Sequence, residues 1–274
     1  MRTARFVLAA CMALAVVVAA SPARAIVGGQ NANVMEFPYV ALVQEKSTLD
    51  SWHPVCGGAL ISADKVLTAA QCVAHGLVGD LLERFRVVLG EHDLTKEDGT
   101  EIRFGVRAIV VHPSYDPATY HHDLAVLSLD RPVPSTGTDA DPTPIALSTD
   151  AAKDLDDLDV RTMGWGLASY QGARPAALQW VTLPLVNADT CVGNYNDVRP
   201  VYKSQVCAGY PEGGKGICTG DVGDPLVATD TTDPDQPRQR LVGVASWTVR
   251  CAEPNYPSVY TRVSAEAEWI TSQM

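Results

Sequence analysis

The placement of cysteines constrains this chain most. There are seven, and the first, Cys11, falls within a stretch that reads as an export leader. Met1–Arg5 is basic, Phe6–Ala20 is an unbroken apolar run, and Ala23-Arg24-Ala25 puts small residues at the two places a signal peptidase reads. The run is shorter than the roughly 20 residues that cross a bilayer, so no membrane anchor is expected. Leu8–Cys11 faintly matches a lipidation box, but the apolar run continues beyond Cys11, which argues against lipidation. Removing residues 1–25 leaves a secreted chain that starts at Ile26. Its cysteines are Cys56, Cys72, Cys191, Cys207, Cys218 and Cys251. An even number in an oxidising compartment points to disulfides, although six thiols allow fifteen pairings. No CxxC pair is present to suggest zinc.

The formal charge of −11 excludes a nucleic-acid partner, because phosphate binding needs clustered Lys and Arg. Residues 26–274 read as all-β. Short apolar or β-branched runs recur at Phe85–Leu89, Val106–Val111, Leu124–Leu129, Leu178–Leu185, Leu241–Trp247 and Ser258–Val263. Turn signals such as Glu97-Asp98-Gly99 and Glu212-Gly213-Gly214 separate them. Two stretches read as helical: Ala188–Tyr195, and a terminal helix over Ser264–Gln273 with Ser264 as its N-cap. The Pro-, Thr- and Asp-rich segment Arg131–Pro144 reads as a strap between two β halves, and Thr229–Gln239 as a hairpin tip.

Eight short segments, taken in order, resemble the trypsin/chymotrypsin-like serine proteases. They are Ile26-Val-Gly-Gly29, Cys56-Gly-Gly-Ala-Leu-Ile61, Val66-Leu-Thr-Ala-Ala-Gln-Cys72 and His122-Asp-Leu-Ala-Val-Leu127, followed by Gly164-Trp-Gly166, Cys218-Thr-Gly-Asp-Val-Gly-Asp-Pro-Leu226, Ser246-Trp247 and Pro257-Ser-Val-Tyr-Thr-Arg-Val263. The resemblance covers all of residues 26–274. It implies two packed six-stranded antiparallel β-barrels with a C-terminal helix, barrel one spanning about 26–135 and barrel two about 145–274. It also implies the disulfides Cys56–Cys72, Cys191–Cys207 and Cys218–Cys251.

The chemistry departs from that pattern. By resemblance, the general-base histidine position holds Gln71 and the nucleophile position holds Val222, while Asp123 keeps the third triad place. An amide takes up no proton near neutral pH, and a valine ends in two methyls, so neither group can do the work of Ser–His–Asp catalysis. The Gln71 amide can still donate to a buried Asp123, as can Ser246. The backbone amides of Gly220 and Val222 fall at the oxyanion hole. The specificity pocket would have Gly216 as its floor and Thr248 and Ser258 on its walls, which suits small apolar groups. Asp224 stands where the family has a second glycine, which puts the geometry of the loop in doubt. The substitutes that could rebuild a triad are weak. His75 and Thr219 lie at the rim, and His121 and His122 would point to opposite faces if they were on a strand.

The reading is therefore a secreted, inactive homologue that binds a peptide or protein, including a protease inhibitor, as a monomer with no membrane contact. The alternative is an active trypsin-like endopeptidase with a non-standard site, and a decaying copy without function is a third. The resemblance adds two further expectations. The Ile26 ammonium, freed by leader removal, would pair with Asp221. No cofactor is required, but Ca²⁺ is expected in the loop Glu91–Glu101, held by Glu91, Asp98 and Glu101 with the carbonyls of Asp93 and Lys96. A solvated acidic loop competes with that expectation.

Overall fold

A computed structural model describes residues 26–74, 81–138, 141–149, 159–230 and 238–274. The leader, His75 and the tip of the Thr229–Gln239 hairpin lie outside them. Six strands close the first barrel: β2 (Val40–Lys46), β3 (Trp52–Ser62), β4 (Lys65–Thr68), β5 (Phe85–Leu89), β6 (Ile102–Val111) and β7 (Ala125–Leu129), ordered β2-β3-β4-β7-β6-β5. β6 shows why sequence pattern finds such strands: Phe104 and Val106 are buried while Arg103, Gly105 and Arg107 between them are exposed. β7 is buried at all five residues, so it reads as a continuous apolar run rather than an alternating one.

The second barrel uses β9 (Asp159–Gly164), β10 (Gln179–Val186), β11 (Gln205–Ala208), β12 (Pro225–Asp230), β13 (Arg238–Trp247) and β14 (Ser258–Arg262). Their order is β10-β11-β14-β13-β12-β9, closed by β9 pairing back onto β10. Pro225 opens β12, a strand position where a missing N–H costs little. Two short strands are added, β1 (Gln30–Asn31) on β10 and β8 (Ala146–Leu147) parallel to β13.

The ends of the chain cross between the barrels. Ile26 is fully buried in the second core, and Val27 bridges to Gly216 through two backbone hydrogen bonds. Ile270 of the C-terminal helix packs in a buried cluster that also holds Val66, Leu124, Trp165 and Val244. That cluster runs across the interface, so the cleft is set by both halves. Helix α1 (Ala188–Tyr195) is capped by Asn187, whose side chain accepts from the Asp189 amide. The terminal helix α2 spans only Ala267–Ser272, with Glu266 at its N-cap, not Ser264. Ser264 Oγ is buried without a hydrogen-bond partner. Glu266 is held through its side chain by two histidines, which fixes the helix start there. Disulfides join Cys56–Cys72, Cys191–Cys207 and Cys218–Cys251, closing loops of 16, 16 and 33 residues. On loop entropy each contributes roughly 3–4 kcal/mol.

Candidate functional site

Between the barrels lies a cleft of about 480 Å³. The first half contributes Gln71, from a short 3₁₀ turn after β4, and Tyr120; the second contributes Thr219, Gly220, Val222 and Ser246–Thr248. Asp123 lies beneath, with no exposed surface. Its Oδ1 accepts from the Gln71 backbone N–H at 2.9 Å. Its Oδ2 accepts from Gln71 Nε2 at 2.5 Å and from Ser246 Oγ at 2.6 Å. The second Gln71 amide proton goes to the Ser246 carbonyl at 2.9 Å. Burial raises the Asp123 pKa, opposed by the bonds from Ser246 and Gln71. A buried carboxylate without such donors would cost several kcal/mol. The glutamine thus donates to both aspartate oxygens, beside Ser246, and its amide is not basic enough to take up a proton near neutral pH.

Val222 is half-buried and packs against the interface cluster. The N–H groups of Gly220 and Val222 donate to no acceptor among the described residues. Gly220 (φ +98°) and Gly223 (φ +87°) hold the loop in left-handed backbone that favours glycine. Thr248 lines the cleft, with its Oγ1 buried and unpartnered, whereas Gly216 and Ser258 sit behind the lining residues. Ser258 Oγ accepts from the Ile217 amide at 3.1 Å. A Cβ on Gly216 would come within 2.7 Å of that oxygen, so Ser258 closes the space below the cleft.

Asp224 is not in the cleft. Its carboxyl is fully buried between Gly57 and Gly164, where a side chain on either glycine would overlap it, and it faces Asp221. Asp221 accepts from the Gly166 amide at 2.6 Å and the Cys218 amide at 2.8 Å. Burial pushes the Asp221 carboxyl up to about 7. Burial and then the neighbouring Asp221 push Asp224 well above the carboxylate range. The loop backbone keeps its turn, with Asp224 N–H donating to the Asp221 carbonyl at 3.1 Å.

The acidic loop fits calcium only in part. Glu91 Oε1 is buried without a partner, and burial, then Glu101, raises its pKa to about 7. Asp98, however, is turned to Lys96 Nζ at 2.7 Å and His92 Nδ1 at 3.2 Å. Glu101 accepts from the amides of Asp98 and Gly99. Asp93 Oδ1 is held by Thr95.

His121 and His122 correct a sequence expectation. Both precede β7, and His122 has φ +52°, so the rings lie on one side and stack at 3.8 Å rather than pointing apart. His122 bonds Glu266 and His121 stacks on Tyr202. The Glu266 contact was not legible in sequence, because its partners are 144 residues apart. Arg250 and Tyr170 also line the cleft, and no motif marks them.

A family model described as Trypsin matches residues 26–270. Curated relatives include "Trypsin-1" of Astacus astacus, 36% identical over 89% of this chain and 98% of its own length. "Vitellin-degrading protease" of Bombyx mori is 34% identical over 95% and 91%. "Trypsin" of Saccharopolyspora erythraea is 36% identical over 91% and 98%.

Proposed function

The chain belongs to the trypsin family, and on that premise we propose that it is a secreted homologue that does not cleave peptides and instead binds a peptide or protein segment in the cleft. One observation carries this reading: both Gln71 amide protons are committed to Asp123 and Ser246, opposite a Val222 with no nucleophilic atom. Without nucleophile or base, only oxyanion-hole and binding effects remain, too little to hydrolyse an amide measurably. An active endopeptidase would need another base, and His121 and His122 are engaged with Tyr202 and Glu266. The export leader and three disulfides support secretion.

Thr248 on the wall and Ser258 behind it favour a small inserting side chain, and no carboxylate at Gly216 waits for Arg or Lys. Calorimetric titration with a canonical-loop protease inhibitor carrying Ala at the inserting position should show binding. The same inhibitor with Lys there should bind at least tenfold more weakly. Absence of binding to either form, or a preference for Lys, removes the cleft as the recognition site.

Two structural proposals accompany this reading. Removal of the leader after Ala25 frees the Ile26 ammonium for Asp221, so a two-residue extension before Ile26 should lower the melting temperature by several degrees. Equal melting of the two forms would remove the pairing. Calcium would be held by Glu91, Asp98, Glu101 and the carbonyls of Asp93 and Lys96, with Lys96 leaving Asp98 to free it. Millimolar Ca²⁺ should then raise the melting temperature by a few degrees, and Glu91→Gln should abolish the rise. No change on adding calcium leaves a solvated acidic loop.

A further inference from the structure

We propose that His112, His122 and Glu266 form a binding site for a divalent transition-metal ion of the zinc type, outside the cleft and independent of what the cleft binds. His112 lies just beyond the end of β6, His122 immediately precedes Asp123, and Glu266 caps α2. One ligand atom from each lies within 4.8 Å of the others, the sole such group among the described residues. The two carboxylate oxygens are divided between the rings: Oε1 lies 2.7 Å from His122 Nδ1, and Oε2 lies 3.4 Å from His112 Nε2. Zinc bonds of about 2.0–2.2 Å in tetrahedral geometry place ligand atoms about 3.3 Å apart. The widest spacing in the group therefore needs to close by about 1.5 Å.

The donor chemistry selects the metal. Two imidazoles and one carboxylate suit Zn²⁺, Ni²⁺ or Cu²⁺, whereas Ca²⁺ and Mg²⁺ take oxygen sets. His112 and Glu266 are buried and His122 is 24% exposed, so the fourth position opens towards solvent on the His122 side, where a water can complete the shell. Two features oppose the ion. His112 and His122 stack at 4.7 Å with planes 8° apart, and Trp269 packs edge-on against His112 at 4.7 Å, so one ring must tilt before both nitrogens can face one metal. The Ser114 amide donates to His112 Nδ1 at 3.2 Å, which places the neutral ring's proton on Nε2, towards Glu266. A metal takes the place of that proton, the ring proton moves to Nδ1, and the Ser114 contact is given up. The cost of that exchange holds the affinity in the micromolar range. Loading would tie the segment 112–123, which carries cleft-lining Tyr120 and Asp123, to the C-terminal helix.

The test is calorimetric titration of the mature chain, made without a polyhistidine tag, with Zn²⁺ in the presence of 1 mM Ca²⁺. One ion should bind per chain with micromolar Kd, and a hundredfold excess over Kd should raise Tm by at least about 5 °C. His122→Ala and Glu266→Gln should each weaken binding at least tenfold, while His53→Ala should leave it unchanged. Should the variants fail to fold, Co²⁺ in the unmutated protein gives a second readout, the intense visible bands of a four-coordinate ion. No binding by the parent, binding retained in both folded variants, or the weak spectrum of six-coordinate cobalt would overturn the site.

Discussion

Gln71→His and Val222→Ser together should return measurable peptidase activity, and either change alone should return none. Triad members act as a unit, so each single revertant still lacks a reacting group. The surroundings are in place. The carboxylate of Asp123 is already held by Ser246 Oγ and the residue-71 amide, and an imidazole at position 71 would take over the bond now made by Gln71 Nε2. The Gly220 and Val222 amides are free to stabilise an oxyanion, each worth roughly 10²–10³ in rate when well placed. The double revertant should remain slow, because a misplacement of about 1 Å costs around 10²-fold and Asp224 sets a second buried carboxyl against Asp221 beside the loop that carries those amides. Adding Asp224→Gly should raise the rate again. Fluorogenic peptides ending in Ala or Val should be cut in preference to those ending in Arg, since Thr248 narrows the cleft and no acid lies at Gly216. A folded triple revertant without activity would show that the site has been misplaced.

Asp224→Asn should make the protein markedly more stable at pH 8 and change it little at pH 4. In the folded chain burial lifts the Asp221 pKa to about 7 and holds that of Asp224 well above the ordinary 3.8. A folded pKa raised above the unfolded value stabilises only at low pH. Stability is therefore lost as pH rises from about 4 through 7 for Asp221, and as it rises above about 4 for Asp224. Each pH unit over which the folded acid keeps a proton that the unfolded chain has released costs about 1.4 kcal/mol. The groups facing the pair are the Arg174 guanidinium, whose charge opposes the rise, and the Tyr260 hydroxyl. Asparagine keeps the shape and does not titrate. Differential scanning calorimetry at the two pH values reads the effect: a gain of several degrees at pH 8 that shrinks towards zero at pH 4. Equal shifts at both would mean that Asp224 acts through packing and not through its proton.

The two barrels were legible because closed antiparallel sheets leave local marks: the β5 run Phe85–Leu89 has the same limits in sequence and structure. The α1 helix was legible for the same reason, since Asn187 caps it with a local bond. The start of α2 was not. Ser264 and Glu266 are both plausible caps locally, and the choice is made by histidines far away in sequence. The place of Asp224 was also hidden, because the room it occupies is created by Gly57 and Gly164 on other strands. In the cleft, the identities of Gln71 and Val222 could be read from motif spacing, whereas the use of both Gln71 amide protons needed three dimensions. Positive φ at His122 likewise put two rings side by side where alternation would separate them.

The absence of a nucleophile is tested most directly by incubating the purified mature protein with a fluorophosphonate probe and measuring its intact mass. The parent should stay unlabelled under conditions in which the folded Gln71→His/Val222→Ser variant gains one adduct at position 222. A stoichiometric adduct on a cleft residue of the parent would contradict the inactive reading and establish a working nucleophile there.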